Sequence, residues 1–102
     1  MKVNFDKPFT DADGQAVMVG DQKQMISERL GFMLFNLVQI KGQPATPEQK
    51  YEAYCLLRKI KQNPGEVEIT TEEGTLLKDI AAEALSAGAY GQIYDIIENN
   101  NK

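Results

Sequence analysis

One stretch of this 102-residue chain leaves the fold little freedom: Val67 to Leu85, VEITTEEGTLLKDIAAEAL. Val67 and Ile69 alternate with Glu66, Glu68 and Thr70, the period-two pattern of a short, half-buried strand or extended arm. Thr70 or Thr71 then offers a side-chain oxygen to the unpaired N–H groups of a helix start. Glu73, three residues after Thr70, supplies the second half of a capping box. Leu76, Leu77, Ile80, Ala81, Ala84 and Leu85 follow at helical spacing, with Glu72, Glu73, Lys78, Asp79 and Glu83 largely on the other side. Leu77 and Ile80 are therefore expected in the core, and the helix is expected to run to about Ala87 and break at Gly88.

The rest of the chain is placed around this unit. Val3, Phe5 and Phe9 precede the turn dipeptide Asp13-Gly14, and Ala16 to Val19 resume an extended apolar pattern, so Lys2 to Val19 reads as a β-hairpin with Pro8 at an edge or bulge. Asp21 and Gln24 form a possible capping box for a helix from about Gln22 to Ile40, ended by Gly42. Its expected buried side is Met25, Ile26, Leu30, Met33, Leu34, Leu37 and Val38, while Phe32 and Phe35 carry the apolar surface beyond one face. Gly42 to Ala45 reads as a connector. Thr46-Pro47-Glu48-Gln49 combines an N-cap, a proline at the first helical position and a capping-box glutamine. The helix it begins carries Tyr51, Tyr54, Leu57 and Ile60 as its apolar stripe until Asn63-Pro64-Gly65 stops it. A last helix, from Ala89 or Tyr90 to Glu98, presents Tyr90, Ile93, Tyr94 and Ile97 on one side.

The expected class is thus α+β: an N-terminal β-hairpin, with a third short strand near residues 67–70, packed on four α-helices. A single compact domain over residues 1–98 and a frayed tail over 99–102 fit a chain of this length.

Function classes are narrowed mainly by what is absent. There is no His, which removes the commonest general base at neutral pH, and the one cysteine, Cys55, can form neither an internal disulfide nor a Cys/His zinc cluster. Cys55 lies beside an apolar helical stripe and reads as a small buried hydrophobe rather than a nucleophile. Asp79 and Glu83 share a helical face, yet no further ligand has a predictable place beside them, so a solvated face is the favoured reading. The glycines of SAGAYGQ lack the spacing and the preceding strand of a phosphate loop. No metal, cofactor or catalytic residue is expected, and the domain reads as non-enzymatic. A single cysteine and the absence of an apolar leader or membrane-spanning run point to a soluble, cytoplasmic protein.

Two kinds of partner remain. A net charge of −4 disfavours broad contact with a phosphate backbone. Arg58, Lys59 and Lys61 are the local exception, and they carry the alternative reading, a nucleic-acid-binding or transcription-regulating module. The leading reading is a protein-interaction domain that self-associates as a homo-oligomer. Its candidate interface is Phe32 and Phe35, which overfill one helix face, together with Tyr90 and Tyr94.

The early Asp-Gly hairpin, EQKYEAYCLLRKI, VEITTEEGTLLKDIAAEAL and the closing YGQIYDIIE resemble, in order and in short strings, small proteins of temperate phages and prophages. That resemblance covers most of the chain but no catalytic motif. It implies a bacterial host cytoplasm and a phage-related role in assembly or regulation through protein contacts.

Overall fold

The computed structural model describes residues 1–99; the expected frayed tail lies, beyond Asn99, outside the described residues. Ten elements follow in chain order: β1 (Lys2–Val3), β2 (Met18–Val19), β3 (Gln22–Lys23), α1 (Ile26–Phe35), β4 (Gln39–Ile40), β5 (Gln43–Pro44), α2 (Pro47–Gln62), β6 (Val67–Glu68), α3 (Thr71–Ala84) and α4 (Ala87–Glu98). The class is α+β, with four helices and three short antiparallel strand pairs.

The strongest local signals produce the helices they predict. Thr46 Oγ1 accepts from Gln49 N at 3.1 Å while Gln49 Oε1 accepts from Thr46 N at 2.9 Å, so both halves of the α2 capping box are made. Thr70 and Glu73 repeat this at the start of α3. Leu77 is fully buried and Ile80 nearly so, and with Leu30, Leu56, Ile60 and Ile93 they form the centre of one core.

The third strand near residues 67–70 exists as β6, but its partner is not a preformed hairpin. β1 pairs with β6, Val3 opposite Val67 and Lys2 opposite Glu68. Phe5 N donates to Pro64 O and Ile69 N to Met1 O. Val3, Phe5, Val67 and Ile69 all turn inward, an apolar match that Met18 and Val19 cannot offer. The expected Lys2–Val19 hairpin therefore shortens to a small loop around Asp13-Gly14, with Thr10 bridging Ala16, and β2 turns instead onto β3.

This second turn displaces the start of α1. Asp21 sits in the loop between β2 and β3, so it does not cap a helix, and the N-cap is Met25, which makes no side-chain cap. The first α1 donors find carbonyls elsewhere: Ile26 N bonds Lys7 O at 2.8 Å and Ser27 N bonds Phe5 O at 3.0 Å. At its other end α1 stops at Phe35, five residues before the expected Ile40. Asn36 closes it, donating from Nδ2 to Phe32 O. The residues expected to be a connector form the β4–β5 hairpin, whose two-residue loop, Lys41-Gly42, has φ of 53° and 75°, the double positive φ of a type I′ turn. Val38 leaves the expected buried side and is exposed.

One further boundary moves. Ser86 Oγ accepts from Ala89 N, starting α4 at Ala87 and ending α3 at Ala84, so Gly88 lies inside α4 and does not terminate a helix. The packing of α1 on α2 is close at Gly31, where a Cβ would stand 3.2 Å from Leu57 Cδ1.

Candidate interaction surface

With the core filled by Ile26, Leu30, Met33 and Leu34, the other side of α1 is exposed among the described residues, with only the Arg29 guanidinium over the Phe32 ring at 5.6 Å. Phe32 is 60 % exposed and Phe35 72 %, and Val38 in the following segment is 70 % exposed. These are large side chains, and the positions lie on one helix and its immediate extension. Neighbouring exposed apolar groups of this kind mark contact surfaces more often than free ones do.

The surface has shape as well as polarity. Between α1 and α2 runs a groove of about 460 Å³, with Gly31 and Leu57 at its base, Phe32 and Phe35 along α1, and Glu28 and Lys61 at its end. A second groove of about 240 Å³ lies on the other side of Phe32, between Val38, Ile80 and Glu83. The Glu83 carboxylate holds this wall in place. It accepts from Gln39 Nε2 at 2.8 Å, Lys41 N at 2.9 Å and Gly42 N at 3.3 Å. These bonds, that from Gln39 foremost, hold the Glu83 pKa below its ordinary value of 4.5. Asp79 meets Lys41 Nζ at 3.5 Å. Both members of the acidic pair on α3 thus engage the β4–β5 hairpin, and among the described residues no group of three or more His, Cys, Asp or Glu is placed to hold a metal ion.

The four candidate interface residues separate into two places. Phe32 and Phe35 belong to the α1 surface. Tyr90 and Tyr94 lie one turn apart on α4 with their rings tilted at 50° and centroids 6.0 Å apart, Tyr90 half-buried and Tyr94 more open, with Lys78 Nζ 5.2 Å from the Tyr94 ring centre. Lys78 also pairs with Glu98, which joins α3 to α4 and gives the Tyr94 ring an intramolecular role.

Of the three cations in the alternative reading, Lys59 is already committed. Its Nζ lies 2.8 Å from Glu73 Oε1, the same oxygen that accepts from Thr70 N in the capping box. Arg58 stands over the Tyr54 ring at 5.8 Å, and Lys61 lies over the α1–α2 approach beside Gly31. Successive residues on a helix point about 100° apart. Arg58 and Lys61 therefore share a side from which Lys59 is turned away, and the three do not form one patch.

Tyr51 and Tyr54, expected on the buried stripe of α2, are exposed. The stripe that packs is Ala53, Leu56, Leu57 and Ile60, and Tyr51, Tyr54 and Arg58 fall one after another on its flank. Their i, i+3, i+7 spacing was readable. Which of two adjacent apolar stripes would be covered was not, because that depends on where α1 and α3 dock. Met18 and Val19 were also missed as surface groups. Val17 beside them is half-buried, and a continuous apolar run gave no sign that the chain leaves the body after it.

A concavity of about 630 Å³ lies between the N-terminal loop and the α3–α4 junction. It is a seam between elements: Gln92 Oε1 accepts from Thr10 N at 2.8 Å and Gln92 Nε2 donates to Thr10 O at 2.9 Å, tying α4 to that loop. No described helix is long and apolar enough to cross a membrane. Compared with models of protein families, with curated proteins and with solved structures, the chain matches none.

Proposed function

We propose that this protein is a non-enzymatic protein-interaction domain that self-associates through the outer face of α1, serving a phage- or prophage-related assembly or regulatory role in the cytoplasm of a bacterial host. The observation that carries the reading is the exposure of Phe32, Phe35 and Val38 beside an apolar groove. Fully covering a Phe or Val side chain is favourable by roughly 1.5–3 kcal/mol. Three such groups give a second protein several kcal/mol to work with before the cost of association is subtracted. Host and phage cycle rest on the resemblance of the sequence strings alone.

Sedimentation velocity across a concentration series is the test. Wild type is expected to sediment above the 11.4 kDa monomer, and Phe32→Glu or Phe35→Glu to return it to the monomer with an unchanged circular dichroism spectrum. A wild-type monomer at every concentration would reject self-association. The nucleic-acid alternative retains, on one side of α2, Arg58 and Lys61, which form no salt bridge among the described residues. About two phosphate contacts give only weak, shallowly salt-dependent binding, so steep salt dependence on a DNA duplex would reverse the preference between the two readings.

A further inference from the structure

The outer flank of α2 carries exposed rings and cations together. Tyr51 is 67 % exposed and Tyr54 48 %, and their ring centres lie 6.3 Å apart at a tilt of 35°. Neither ring is used by the core, which α2 supplies with Ala53, Leu56, Leu57 and Ile60. At 100° per residue, Lys50, Lys61, Tyr54, Arg58 and Tyr51 fall within one arc of about 100° around the helix axis, and all five are exposed. The Arg58 guanidinium stands over the Tyr54 ring at 5.8 Å.

The charges on this arc are of one sign. Lys2, Lys41, Lys59 and Lys78 pair with carboxylates, whereas Lys50, Arg58 and Lys61 form no salt bridge among the described residues. The two acids of α2, Glu48 and Glu52, fall beyond Tyr51, outside the arc. From α1 the acid that comes near is Glu28, which lines the same groove as Lys61. Three cations therefore stand against one acid at the edge.

We infer that this flank of α2 binds a short single-stranded nucleic-acid segment, with bases stacked on Tyr51 and Tyr54 and phosphates met by Lys50, Arg58 and Lys61. Self-association through α1 is not required for it. A base of any sequence offers a flat face to a tyrosine ring, and the planar Arg58 guanidinium extends the stacking surface. An acidic peptide would answer the cations and leave both rings in water. A duplex would do the same, because its bases are already stacked on one another. Lys50 and Lys61 lie eleven residues apart, about 16 Å along the axis, which spans four or five nucleotides at about 3.4 Å each. The net charge of −4 opposes long-range attraction, but contacts shorter than the Debye length of about 10 Å are governed by the local cations. With three phosphate contacts, binding should be weak, and its logarithm should fall with the logarithm of salt concentration at a slope of about −2.

Fluorescence anisotropy of a labelled oligothymidylate of about ten nucleotides, titrated with the full chain at low salt, tests this. Tyr51→Ala and Tyr54→Ala are each expected to weaken binding about five- to a hundredfold with an unchanged circular dichroism spectrum, while Tyr51→Phe keeps the affinity. Lys61→Ala should flatten the salt slope by about 0.7. Lys23→Ala, which removes an exposed cation on β3, should change nothing. No binding at low salt overturns the inference, as does binding that both tyrosine-to-alanine variants retain or that Lys23→Ala weakens as much as Lys61→Ala. Displacement of the strand by a duplex or by an oligoglutamate as readily as by unlabelled strand also overturns it, the latter in favour of an acidic protein segment.

Discussion

Helices α2 and α3 begin in a different way from α1. In the former, Thr46 with Gln49 and Thr70 with Glu73 satisfy the first N–H groups within four residues of chain. In the latter, no side chain caps the start, and Ile26 N and Ser27 N are met by Lys7 O and Phe5 O, carbonyls about twenty residues earlier. The free N–H groups at a helix start must be paired in either case. A nearby side chain can be recognised in a row of letters, whereas a backbone carbonyl brought in by an N-terminal arm has no letter of its own. The comparison extends to the faces of the helices. α3 is covered on the side its spacing indicates, while α1 has apolar groups on more sides than one chain covers.

The largest effect that separates the two regions is a truncation pair. Leu77→Ala, at a fully buried site in α3, is expected to lower unfolding free energy by roughly 2–5 kcal/mol, and Phe35→Ala in α1 by less than about 0.5 kcal/mol in the monomer. Denaturant titration at low protein concentration reads both, and equal losses would break the distinction between covered and uncovered faces. A cap pair comes next. Thr70→Ala removes the acceptor for Glu73 N and is expected to destabilise by about 1 kcal/mol, while Asp21→Ala, in a hairpin loop, should stay within about 0.5 kcal/mol. A loss at Asp21 as large as that at Thr70 would restore the side-chain cap to α1. The smallest effect is a matter of sign. Gly88 lies in α4 without positive φ and with open space around its missing Cβ, so Gly88→Ala should stabilise by roughly 0.5 kcal/mol. A drop in melting temperature would mean instead that Gly88 adopts a left-handed helix-ending conformation.

The candidate surface was legible to an uneven degree. Phe32 and Phe35 stood out because the apolar positions from Met25 to Ile40 exceed one helical stripe. Val38 did not, because the turn at Lys41-Gly42 and the grip of Glu83 on it pull residues 37–40 out of the helix. Lys59 looked like one member of a basic run until Glu73, fourteen residues later, proved to be both a cap and its ion-pair partner.

By itself the sequence determined the α+β class, four helices, the starts of α2 and α3, and the burial of Leu77 and Ile80. Each follows from groups a few residues apart, where chain connectivity already holds partners within reach. Only the tertiary structure decided that β1 pairs with β6, that α1 starts at Ile26 and ends at Phe35, and which of two adjacent apolar stripes on α2 faces the core. Those choices join residues twenty to nearly seventy positions apart. They are settled by competition among strands and helix faces for the same limited interior. Val67 wins the partnership of Val3 because the β1–β6 pairing buries four apolar side chains, Val3, Phe5, Val67 and Ile69, where Met18 and Val19 remain in solvent.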